Sequence, residues 1–179
     1  MNLYYTNGFG RPDKSDLDVV RVFQLRGYTG TDTPDKDISI IELSTPRSVQ
    51  SIPLAQMSDH SIDDPIRLLA FWGRGWWNFR RFEHQYSSEG YRKPPDATSS
   101  TEGRHTARTL KMWSGAPVFG SIDNEFKIIG VHGNYLRGIA NLFCAFDQQL
   151  HDEIEALSEG ASPSSNIWRN TWVAPNIVV

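Results

Sequence analysis

Short runs of β-branched and aromatic residues alternate with polar, turn-forming stretches along most of this chain, a rhythm that predicts strands separated by loops. The runs fall at residues 18–25 (DVVRVFQL), 37–43 (DISIIEL), 66–71, the aromatic stretch 76–86, 106–112, 116–119 and 126–132. One segment carries a helical period instead. Leu142, Phe146, Leu150, Ile154 and Leu157 follow one another at spacings of four, four, four and three, which predicts a helix with Asn141 as its N-cap and Gly160 just past its end. Helix thus comes late and once. An all-β, antiparallel fold closed by a C-terminal α-helix fits that order, since an alternating α/β sheet needs a helix after each strand. The polar stretches PPDATSSTEG (94–103) and SEGASPSS (158–165) read as loops.

Composition narrows the function classes. A chain of 179 residues, 39% hydrophobic and 12% aromatic, can bury one sizeable core or two small ones sharing an interface. With 18 Lys and Arg against 21 Asp and Glu, the formal charge of -3 offers no global basic field, so neither nucleic acid nor an anionic membrane is an expected partner. No run is long and apolar enough to span a bilayer, and the opening MNLYYTNGFGRPDKSD lacks the apolar core of a secretory signal. The single cysteine, Cys144, excludes an intrachain disulfide framework and a cysteine-built zinc site. It falls between Phe143 and Phe146 and reads as a small buried hydrophobe.

Two local clusters invite sharper readings and do not sustain them. WGRGWWNFRRF (72–82) interleaves aromatics with Arg74, Arg80 and Arg81, a pattern able to stack bases and touch phosphates; a strand with one buried and one solvated face produces the same alternation. His60 with Asp63 and Asp64 sits in the turn-like SDHSIDDP and lacks the spacing of a two-histidine metal site. No metal is expected. The end of the chain, with Trp168, Trp172 and a terminal IVV, is expected to dock on its own barrel or on a partner, because such side chains are costly to leave in water.

The most informative stretch is MWSGAPVFGSIDNEFKIIGVH (112–132). Ser114 lies in a tight Ser-Gly-Ala-Pro turn that can present a hydroxyl, followed by a short strand, a polar hairpin turn and a second apolar strand. WSGAPVF with FKIIGVHGN resembles the nucleophile region of the chymotrypsin-like serine proteases, especially the glutamyl-endopeptidase-like branch, whose pattern is SGSPVF, a hairpin and a strand ending in GIH. DISIIEL, with Thr45-Pro46 after it, is similar to that family's DIALLKL strand, whose leading aspartate orients the catalytic histidine. LLAFWGRGW (68–76) is a looser match. The interval from Asp37 to Ser114 is 77 residues, against about 93 in the family template, a shortfall that trimmed surface loops account for.

The resemblance implies a double β-barrel with an incomplete first barrel: residues 1–65 form part of that barrel, 66–140 the second, 141–157 the C-terminal helix and 158–179 a tail. It implies a serine endopeptidase in which Ser114 is the nucleophile and Asp37 the orienting carboxylate, needing no cofactor, with a peptide or protein as substrate. The amides of Met112 and Ser114 fall at the oxyanion hole. Met112 stands where the family has glycine and Trp113 where it has Asp or Asn, so a preformed hole is not expected. His132 matches a position lining the primary specificity pocket, and Arg108 falls near the pocket base; the two favour an acidic or neutral side chain before the scissile bond. Gly133, Asn134 and Tyr135 match the backbone that pairs with extended substrate.

One part of the pattern is missing. The family's histidine precedes its aspartate by about 45 residues, whereas the five histidines here, His60, His84, His105, His132 and His151, all follow Asp37. The histidine-bearing segment is therefore expected upstream of Met1 or from a second chain. The alternative is a non-catalytic module that uses the protease groove to hold an extended peptide.

Overall fold

The computed structural model describes residues 3–6, 12–15, 19–30, 33–44, 51–73, 82–94, 100–110, 113–136 and 140–173. In chain order their strands are β1 (Leu3–Thr6), β2 (Pro12–Ser15), β3 (Val19–Leu25), β4 (Ser39–Leu43), β5 (Pro65–Gly73), β6 (Phe82–Lys93), β7 (Glu102–His105), β8 (Pro117–Ile122), β9 (Glu125–Leu136) and β10 (Ala140–Ala145). The helix α1 (Gln148–Ser158) and the strand β11 (Trp168–Val173) follow. Six strands close into a barrel in the order β10-β7-β6-β5-β8-β9, and β11-β3-β4 form a separate three-stranded sheet. The strands β1 and β2 pair as a hairpin. All pairings between the named strands are antiparallel.

The barrel and the three-stranded sheet each own a core. Ile66, Leu68, Val118, Ile129, Phe143 and Trp113 fill the barrel. Phe23, Leu25, Ile38, Phe146, Leu150 and Trp168 form the second cluster, with Ile154 and Leu157 of α1 packed against it. The strand β10 belongs to both: Phe143 and Ala145 enter the barrel, while Cys144 and Phe146, just beyond the strand, enter the second cluster.

That shared strand corrects the helix expectation. Residues 140–145 pair with both β7 and β9 and close the barrel, and α1 begins only at Gln148. A strand packed on both faces carries apolar residues at successive positions, so the four-residue step from Leu142 to Phe146 is a coincidence of double burial. The helix is capped by Asp147, whose side chain accepts from Leu150 N at 2.9 Å, in place of the expected Asn141. Gly160, with φ of +92°, does follow its end.

Other boundaries shift as well. The strand expected at 106–112 is not formed over 106–110, which are irregular; the strand lies earlier, as β7 from Glu102 to His105. Met112 lies outside the described residues, as does the part of the aromatic run before Phe82. The Asp37 segment enters β4 only at Ser39, after a 3-10 turn at Pro34–Lys36. The polar hairpin turn is present: Asp123 and Asn124 both adopt positive φ, at 55° and 64°, as a two-residue primed turn between β8 and β9 requires. The tail docks through β11, which pairs with β3 and buries Trp168.

Candidate active site

The Ser-Gly-Ala-Pro turn is held from below and from one side. Trp113 is buried in the barrel core, and Ala116 N donates to Trp113 O at 3.0 Å. Ser114 and Gly115 therefore stand at the apex, where Gly115 takes the φ of +89° that the third position of a type II turn demands. The turn is tied to β9 by Gly115 N donating to His132 O at 2.7 Å and by His132 N donating to Ala116 O at 2.8 Å. Ser114 is left exposed.

Gly133 is where the two candidate triad residues meet. The Ser114 hydroxyl donates to Gly133 O at 2.9 Å. Asp37, arriving from the other sheet, packs so close that a Cβ on Gly133 would stand 3.2 Å from its Oδ2. Sequence positions 77 residues apart thus converge on one glycine of β9. At this point Gly133 and Asn134 of β9 stand opposite Leu142 alone of β10, between the pairs Tyr135↔Asn141 and His132↔Phe143. Such a bulge bends the strand and re-aims its groups, as is common beside active sites. Tyr135 N donates to Asn134 Oδ1 at 2.8 Å.

Tyr28 lies beside the same carboxylate, and its phenol is pushed above its ordinary value by burial first, then by the charge and hydrogen bond of Asp37. The sequence offers no period or motif that would select it. No described histidine nitrogen bonds Ser114 or Asp37: His60 pairs with Pro65 O, His132 with Leu142 O and His151 with Asp152. Cys144 is no substitute nucleophile, since burial pushes its thiol far up, with Asp35, Asp37 and Asp147 adding to the effect.

Beside Ser114 lies a cavity of about 860 Å³ lined by Arg108, Thr109, Leu110, Ser114, His132, Gly133, Asn134, Tyr135 and Asn141, with Thr106. All the expected substrate-contacting residues, Arg108, His132, Gly133 and Asn134, reach this one cavity. Leu110 and Tyr135 add exposed apolar area, at 52% and 63% accessibility. In its wall, His132 Nδ1 lies 3.0 Å from Leu142 O and 3.3 Å from His105 Nε2. A carbonyl can only accept, so His132 carries its proton on Nδ1 and His105 Nε2 is the acceptor. His105 must then be protonated on Nδ1, a buried atom without a protein partner among the described residues. Burial lowers His132, with the Leu142 carbonyl opposing, and burial followed by the His132 charge pushes His105 down to about 3. The sequence holds His105 only as one histidine among five, and the contact with His132 depends on the pairing of β7, β9 and β10.

No family model matches this chain, and no curated protein matches it. Solved structures do. A Glu endopeptidase is 18% identical with a TM-score of 0.61, over 79% of this chain and 63% of that one. The tobacco vein mottling virus protease is 16% identical with a TM-score of 0.54, over 89% of this chain and 66% of that one. An inactivated protease paralogue from the scabies mite is 14% identical with a TM-score of 0.55, over 82% of this chain and 68% of that one. The chain spans under two thirds of the length of the first two. The sequence motifs, the closed barrel and these neighbours agree: the chain has the chymotrypsin-like protease fold.

Proposed function

We propose that this chain is a serine-endopeptidase-like protein in which Ser114 hydrolyses peptide bonds once a catalytic imidazole is supplied, and that it is inactive without one. The observation that carries the reading is the convergence of the Ser114 hydroxyl and the Asp37 carboxylate on Gly133, at the edge of a groove large enough for a peptide side chain. In the reaction, Ser114 Oγ attacks the peptide carbonyl and its proton passes to an imidazole held by Asp37. That imidazole comes from a segment upstream or from a second chain. The oxyanion position falls to the amides of Ser114 and Met112, without the glycine that would preform the hole; the amine leaves with the proton, and water then releases the acyl group. The backbone from Gly133 to Tyr135 binds the extended substrate by strand addition, and Arg108 with His132 sets a preference for an acidic or neutral side chain before the scissile bond.

A fluorophosphonate probe tests the nucleophile. It should label the protein extended upstream through a histidine-bearing segment and leave the Ser114→Ala form of that protein unlabelled; labelling that survives the substitution removes Ser114 from the mechanism.

The second reading is a non-catalytic module that holds an extended peptide in the same groove. It is favoured by the Ser114 hydroxyl being spent on a backbone carbonyl. Peptide binding by the chain, with no probe labelling in any extended form, would select it.

A further inference from the structure

Asn141 joins four segments at the cavity wall. Its backbone position pairs with His105 of β7 and Tyr135 of β9. Its side chain spends both polar ends on the irregular segment that leads to the Ser114 turn: Nδ2 donates to Ala107 O at 2.7 Å, and Oδ1 accepts from Thr109 Oγ1 at 2.9 Å. These two contacts flank Arg108. Residues 106–110 lie outside every strand, so an amide side chain from a barrel strand substitutes for the partner that a ladder would supply. Two such bonds, each worth about 1 kcal/mol in other proteins, are enough to fix so short a segment.

The chemistry of the cavity gives that clamp a purpose. Arg108 and Asn141 line the same space, and none of the described lining residues is acidic. The Nδ1 proton of His132 is committed to Leu142 O, and burial disfavours a charge on its ring. The fixed charge that the described lining offers a ligand is therefore the Arg108 guanidinium.

We infer that Asn141 is a positioning residue for specificity: by bracketing Arg108 it holds the guanidinium over the cavity, where Arg108 reads the carboxylate of an acidic residue in a bound peptide. The inference rests on the peptide-groove reading above. It divides labour within the pocket, giving the charge to Arg108 and its placement to Asn141, while His132 shapes the wall.

The test uses the full chain and a fluorescent octapeptide with one central Glu, compared with its Gln counterpart, by anisotropy from about pH 6 to about pH 8. The wild type should prefer the Glu peptide about fivefold, the upper range for a partly exposed ion pair, and the preference should be flat with pH. Arg108→Gln should abolish it. Asn141→Ser and Asn141→Asp should reduce it toward unity by weakening the Glu peptide more than the Gln peptide; the Asp variant keeps the side-chain shape and the Thr109 contact, loses the donor to Ala107 O, and sets a competing carboxylate near Arg108. Thermal melts establish that the variants are folded. Preference retained in both Asn141 variants overturns the inference, as does equal loss of both peptides in folded Asn141→Asp. A preference that fades as pH rises assigns the reading to His132 instead. Equal binding of both peptides by the wild type overturns this inference and leaves the groove standing, whereas binding of neither overturns the groove reading and this inference with it.

Discussion

Every strand of the six-stranded barrel has a neighbour on both sides, whereas in the three-stranded sheet β4 and β11 each keep one edge without a ladder among the described residues. Closure leaves no register to slip and no edge to recruit another chain, while an open sheet depends on packing for its position. The division runs through the candidate site. Ser114, His132, Gly133 and the Arg108 segment belong to the closed barrel, and Asp37 enters from just before β4 of the open sheet. One half of the candidate site is thus mounted on the closed barrel and the other next to a sheet packed against the shared strand β10 and α1.

Removing a large side chain on each side of that divide gives the strongest measurement. Phe143 is fully buried in the barrel, and Phe146 is 3% exposed in the second cluster. Phe143→Ala should cost about 3 to 5 kcal/mol of unfolding free energy in urea, because a closed barrel cannot collapse around the cavity. Phe146→Ala should cost about 1 kcal/mol less, since an open sheet can settle. Equal costs would mean that the two regions are equally rigid.

The same contrast explains what the sequence disclosed. The closed barrel contains the stretches with the clearest local grammar: the Ser-Gly-Ala-Pro turn, the Asp123-Asn124 hairpin and the apolar runs of β5, β8 and β9 are each specified by residues adjacent in the chain. Ser114 and Asp37 could be nominated as candidates because a local motif marks each. The strand identity of residues 140–145 was not, because burial on two faces erases the alternation that separates strand from helix. Tyr28, His105 and Asn141 were invisible as site residues for another reason. Each acts through a partner 9, 27 or 34 positions away, and those pairings exist only after the strands have taken their register.

Acid should strain the closed half next. His105 is pushed down to about 3 and His132 is lowered, both chiefly by burial. A histidine lowered on folding is neutral in the native state while the unfolded chain takes up a proton below about 6.5. This contribution to stability should therefore be constant above that value and fall as pH drops below about 6.5, by about 1.4 kcal/mol per pH unit for each proton taken up by the unfolded chain alone, with His105 contributing down to about 3. His105→Gln should flatten the slope in urea titrations across that range. An unchanged slope would place the acid sensitivity outside the histidine pair.

The junction between the halves is open to a double-mutant cycle. Gly133→Ala sets a methyl group 3.2 Å from Asp37 Oδ2, closer than comfortable, so the carboxylate must give way at a cost of about 1 kcal/mol. In an Asp37→Ala background that cost should vanish, leaving a coupling of about 1 kcal/mol between residues 96 positions apart. Additive effects would show that the open sheet does not hold Asp37 against β9 in solution.

The smallest effect is the most telling for mechanism. Ser114 is exposed, and its hydroxyl makes one hydrogen bond, to Gly133 O. Ser114→Ala should therefore cost only about 0.5 kcal/mol in urea unfolding, at the low end for a bond that water can replace. A nucleophile must leave its resting partner at little expense, since whatever holds it in the ground state adds to the barrier for attack. A loss of about 2 kcal/mol or more would make the Ser114–Gly133 bond a structural clasp between the turn and β9. In that case the turn would serve the barrel's geometry, and the peptide-holding reading of the groove would gain over the hydrolytic one.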